Sequence, residues 1–222
     1  MTLMKLRYYL LSVILGFSAC SKSTSDEVGG SGCIEQVAVA PTEHEISAAN
    51  YTKATSLFQQ NNISLTNLRI TRFLEDDIVL NGVTNHHVNV SVTQYQNTLP
   101  FFTGTIIYAF KNGRLNFTGG EKLTTDISAT PTLSLAAVRS LYFDEFRKYS
   151  QQGSYLKVED FLNKCLTAEL GYYNYRGVGM PNKTVRAWHI LPKGKSYPEA
   201  YIADSDGSTI YFFDGVVSAG PK

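Results

Sequence analysis

The spacing of apolar positions changes several times along the chain, and each change marks an element. Between residues 46 and 60, apolar or small side chains fall at Ile46, Ala49, Ala54, Leu57 and Phe58, close to helical spacing, and the run stops at Asn61-Asn62. This predicts a first helix. Residues 68–73 open a strand region, and Val88, Val90 and Val92 then alternate with Asn89, Ser91 and Thr93, the period of two that marks a half-buried strand. Asn97-Thr98-Leu99-Pro100 reads as a turn and residues 105–110 as a second strand. Asn112-Gly113 reads as a hairpin turn because both residues tolerate positive φ. Leu115 and Phe117 carry a third strand towards Gly119-Gly120. Ser134 then caps a second helix, whose apolar stripe runs through Leu135, Val138, Leu141, Tyr142, Phe146 and Tyr149 and closes near Gln152-Gly153. A short helical segment with Val158, Phe161 and Leu162 follows. Four strands complete the chain over residues 168–175, 184–191, 199–203 and 208–213, separated by breaks at 177–182, 192–194 and 204–207.

The order is helix, antiparallel meander, helix, antiparallel meander. Turns this tight leave no room for β-α-β crossovers, so the expected class is α+β, with each helix on one face of a sheet. The expected division is two helix-plus-sheet halves, residues 45–125 and 126–222.

Ahead of them, residues 1–19 read as a targeting segment. Lys5 and Arg7 precede a short apolar run, YYLLSVILGF, that is too short to span a hydrocarbon core of about 30 Å. Phe17-Ser18-Ala19-Cys20 resembles a lipobox, with Phe17 where that motif has an aliphatic residue. The resemblance implies that Cys20 is the lipidation site and the mature N-terminus; the alternative is an ordinary secretory signal with a chance cysteine. Residues 20–44, polar and glycine-rich at first, are expected to form a flexible tether. Asp26-Glu27 within them resembles the surface-export signals of some Bacteroidota lipoproteins.

Composition narrows the function classes. The chain has 20 basic and 19 acidic residues, and without Lys5 and Arg7 the balance falls from +1 to −1. Near-neutrality with no basic cluster excludes a nucleic-acid footprint. With Cys20 lipidated, Cys33 and Cys165 remain. An oxidising compartment permits a disulfide between them, and two separate buried thiols are the alternative. Neither has the neighbouring ligands of a zinc site, and no metal or cofactor is expected.

Residue types that invite chemistry have plainer readings. His86-His87 are adjacent on a strand and so point to opposite faces, which prevents both from gripping one ion. His189 beside Trp188 reads as a packed or hydrogen-bonded histidine. Asp204-Ser205-Asp206-Gly207 echoes a calcium loop without its later ligands and reads as a hairpin turn. There is no GxSxG elbow and no cysteine set among catalytic partners. The chain is therefore read as non-enzymatic, with a hydrolase built from unrecognised residues as a rival.

Residues 92–110, VTQYQNTLPFFTGTIIYAF, resemble the FTP motif of fungalysin and thermolysin propeptides. Gln94, Leu99, Pro100, Phe101, Phe102 and Gly104 match its positions, and His87 falls where the family often has a histidine. Thr98 and Thr103 replace glycines. Residues 186–213 resemble the PepSY domain that accompanies FTP, through Trp188, Tyr201, Asp204, Gly207 and the aromatic run Tyr211-Phe212-Phe213. The resemblance spans roughly residues 45–215 and implies a module that packs against an exported zinc peptidase, to inhibit or chaperone it. No HExxH accompanies it here. The expected partners are a membrane, through the lipid anchor, and an exported metallopeptidase or other cell-envelope protein. Leu99, Pro100, Phe101 and Phe102, or an exposed sheet edge, are the expected binding surface. The alternative is a structural or accessory envelope lipoprotein with no peptidase partner.

Overall fold

Ser47 begins the first helix, α1 (Ala48–Gln60), by accepting a hydrogen bond from the Asn50 N–H at 3.2 Å. Asn61 ends it. Its amide donates to the Leu57 and Gly113 carbonyls and accepts from the Leu115 N–H, which ties the helix terminus to a distant hairpin. The computed structural model describes residues 33–151, 156–175 and 183–215. The signal segment, Cys20 and the start of the tether lie outside them, as does the expected break at 177–182.

Four strands follow α1: β2 (Leu68–Leu80), β3 (Val83–Gln96), β4 (Leu99–Lys111) and β5 (Arg114–Gly119). Three two-residue turns join them, Asn81-Gly82, Asn97-Thr98 and Asn112-Gly113, and all six residues have φ between 50° and 78°. Such turns match the twist of antiparallel strands. Leu99 and Pro100 therefore belong to β4 and not to the turn. The second helix, α2 (Leu135–Gln151), starts with the Ala137 N–H donating to Ser134 Oγ at 3.2 Å. After a single 3₁₀ turn, Val158–Asp160, come β6 (Leu166–Tyr175), β7 (Lys183–Pro192), β8 (Glu199–Ala203) and β9 (Thr209–Phe213).

Among the described residues the fold is mixed, with two helices beside a large, mainly antiparallel sheet of nine strands. Two parallel pairings depart from the expected meanders. The strand β1 (Ile34–Val37) lies inside the segment expected to be tether and pairs with β6. Its residues lack the glycines of the stretch before it, and Ile34 is fully buried. Cys33 and Cys165 form a disulfide at this point, and the Leu166 N–H donates to the Cys33 carbonyl at 2.8 Å. β4 also pairs with β6, at Phe101 and Tyr172, so α2 is part of a crossover and the sheet runs through both regions. Short turns forbid parallel pairing between neighbours in sequence, not between strands that a helix separates.

Apolar packing is concentrated in two places. α1 buries Ala54 and Phe58 against Ile70, Val90, Val92, Ile106 and Phe110. α2 buries Val138, Tyr142 and Phe146 against Leu166, Leu170, Trp188, Ile190, Ile202 and Phe212. Arg139 projects from α2 to the Cys33, Leu162 and Lys164 carbonyls, holding the disulfide segment to the helix.

Candidate functional site

Each helix covers one face of its part of the sheet, and the opposite faces are where a ligand could act. Of Leu99, Pro100, Phe101 and Phe102, the expected binding surface, only the half-buried Phe102 reaches one of them, the β6–β9 face turned away from α2. Pro100 is buried and Phe101 is 1% exposed, 5.1 Å from the Tyr172 ring and packed on Leu123. Leu99 is packed against the interior. Phe102 lies edge-on to His189 and Tyr201, over Gly171, where a Cβ would stand 2.5 Å from its ring. The β4–β6 pairing draws the segment into the joint between the two regions, which an apolar-Pro-apolar pattern does not reveal. Gln94 is structural too: its amide donates to the Gly104 and Glu121 carbonyls and accepts from the Leu123 N–H.

The β6–β9 face turned away from α2 carries Glu169, Tyr173, His189, Glu199, Tyr201 and Tyr211. His189 stacks on Tyr201 at 4.6 Å with 9° between the rings, and its Nε2 lies 2.7 Å from Glu199 Oε1. That hydrogen bond holds the Glu199 carboxyl below the usual range, although burial opposes it. Burial pushes the Glu169 carboxyl up, against the pull of His189. Burial, with Glu199 close by, also raises the Tyr201 hydroxyl. The imidazole has one ring nitrogen and one flat side engaged within the protein.

Asp204 has more than a turn role. It is fully buried and accepts from the Thr132 and Leu133 N–H groups at 2.7 and 3.0 Å, Trp188 Nε1 at 2.7 Å and Arg186 Nε at 2.7 Å. Burial alone would raise its pKa, and these donors together reverse that and lower it. Arg186 reaches on to the Ser128 carbonyl and the Thr132 hydroxyl. The constellation clamps the approach to α2 against β7 and β8. Cys33, Glu35 and Cys165 bring their ligand atoms within 4.8 Å of one another. Both sulfurs are bonded to each other, however, and Glu35 pairs with Lys193, so nothing is left for a metal.

The β2–β5 face turned away from α1 is of another kind. Leu74, Asn89, Ala109 and Phe117 form one row across the four strands, and Ile107 stands in the row beside it. Leu74 is 47% exposed, Ile107 42% and Phe117 60%. Next comes a row in which Asp76, Lys111 and Arg114 are charged and His87 stands between them. Beyond it β2 and β3 continue without a third strand, as a ribbon ending in Ile78, Val79, Leu80 and Val83 around Asn81-Gly82. Sequence reading missed this face. The alternation of Leu74, Asp76, Ile78 and Leu80 ahead of an Asn-Gly turn was a legible hairpin signal, though nothing in it says that a face stays uncovered.

No family model matches the chain, and no curated protein matches it. Among solved structures, the Bacillus megaterium YpeB C-terminal domain is similar over 82% of this chain and 70% of its own, with a TM-score of 0.39 and 10% identity. A likeness at that level assigns neither family nor function.

Proposed function

We propose that this chain is a lipid-anchored, non-enzymatic binding module of the cell envelope that holds an exported protein, a metallopeptidase in the first instance, and inhibits or chaperones it. One observation carries the binding: Leu74, Ile107 and Phe117 are exposed on a face that no helix among the described residues covers. Exposed apolar surface rimmed by charge is the usual mark of a protein interface. The anchor rests on the signal-like residues 1–19 and Cys20, and the choice of a peptidase rests on the FTP-like and PepSY-like motifs.

Two assays test it. Metabolic labelling with a fatty acid is expected to mark the chain and to fail in Cys20→Ser; equal labelling of both sinks the anchor. Titrating the full chain against an exported zinc peptidase of the same envelope is expected to change its activity in proportion, with Phe117→Ser at least tenfold weaker. No change at saturating protein leaves the accessory-lipoprotein alternative.

A further inference from the structure

The ribbon beyond the charged row differs from the patch in one respect: it exposes an apolar side chain on both sides. Register places Val79 on the α1 side, and Ile78, Leu80 and Val83 on the other. Val79, Leu80 and Val83 are each more than 60% exposed, and Ile78 is 48% exposed. The eight residues 78–85, IVLNGVTN, carry no charge. β4 ends at Lys111, opposite His87, so this stretch stands clear of the sheet by about 10 Å at 3.3 Å per residue. Glu75, Asp76, Asp77, His86 and His87 form a polar collar with three carboxylates at its base, where Asp77 contacts His86 at 2.7 Å and Glu75 pairs with Lys53.

A surface that meets a flat protein partner needs one apolar side. A tip with exposed apolar side chains on both sides, about 10 Å deep and stopped by charge, fits a medium that surrounds it. We infer that the ribbon tip dips into the interfacial layer of a lipid bilayer, as a second membrane contact that orients the domain. An apolar element resting in a membrane interface buries itself to about 5–10 Å, which matches the projection. The inner edges of the two strands are hydrogen-bonded to each other, so only a few outer-edge groups meet the interface, where water still reaches them. The collar sets the depth. Because the tip has no basic residue and the collar's three carboxylates stand beside Lys53, Lys111 and Arg114, insertion does not depend on anionic lipid.

Proximity to the bilayer rests on the proposed anchor: Cys33 follows Cys20 by thirteen positions, a reach of at most about 45 Å. Insertion itself does not rest on it, and the experiment separates the two. Full-length chain, acylated or carrying Cys20→Ser, is mixed with vesicles of pure phosphatidylcholine in which one set of lipids bears a shallow fluorescence quencher. Leu80→Trp is expected to shift to shorter wavelength and lose at least half its emission, in both forms at sufficient lipid. Tyr211→Trp, on the other region, stays unquenched, and Trp188 gives the buried background. Adding a tenth of anionic lipid leaves the quenching unchanged. Failure of the anchor appears as equal flotation of the two forms, whatever position 80 reports. The inference is overturned if Leu80→Trp is no more quenched than Tyr211→Trp, or if its emission shifts only when a partner protein is added.

Discussion

On the uncovered face of β6–β9, polar and aromatic groups serve one another: His189 is held between Glu199 and Tyr201, Phe102 lies against both rings, and Asp204 beneath gathers four donors. On the uncovered face of β2–β5, Leu74, Ile107 and Phe117 stand bare beside unburied charges. Both regions have a helix on one face, so sheet-on-helix packing does not separate them. The difference lies in whether the free face has partners within the chain. A face satisfied internally contributes to holding the molecule together; a face left bare contributes little and is available to something else.

Substitutions should divide accordingly. Asp204→Ala orphans the Thr132, Leu133 and Trp188 donors and leaves Arg186 without its carboxylate, and is expected to cost about 3–5 kcal/mol of stability in urea unfolding. Phe101→Ala should cost a similar ~3–5 kcal/mol, because it empties the joint between regions. A cost below 1 kcal/mol for either would remove its part in holding the two regions together. Replacing Cys33 and Cys165 together by Ser should cost about 2–4 kcal/mol, as the bridge closes a long loop across 132 positions. Leu74→Ser and Phe117→Ser should leave stability within about 0.5 kcal/mol while removing partner capture.

The acid limb sharpens the contrast further. Asp204 is held below its unfolded value of about 3.9, so its contribution is present above that pH and is lost as pH falls through the folded value. Glu169 is raised above its unfolded value of about 4.3, so its contribution is present in acid and is lost as pH rises through the folded value. Glu169→Gln is therefore expected to raise the melting temperature at pH 7 and not at pH 3, the smallest of these effects. A lower melting temperature at pH 7 would contradict the sign.

Much of the fold was written in local pattern. The valines of β3 alternate over a buried face, Asn61 ends a helix, and Asn112-Gly113 takes the positive φ its residue types allow. Pattern failed where a residue's environment is made by distant chain. Phe101 is buried because β6 lies beside it, and Ile34 is a strand because Leu166 accepts it as a neighbour. Asp204 looked like a turn residue because its donors come from as far away as Thr132. The bare patch has no local mark at all, since the pattern that predicts a half-buried strand does not say whether its second face is covered.

The most direct measurement places a photo-crosslinking side chain at position 117 or at position 211 of the full chain in intact envelopes. The two positions report on the bare face and the satisfied face, and both are solvent-exposed, at 60% and 43%. The account predicts a discrete adduct with an exported protein from position 117 and none from position 211. An adduct from position 211 with none from position 117 would contradict it.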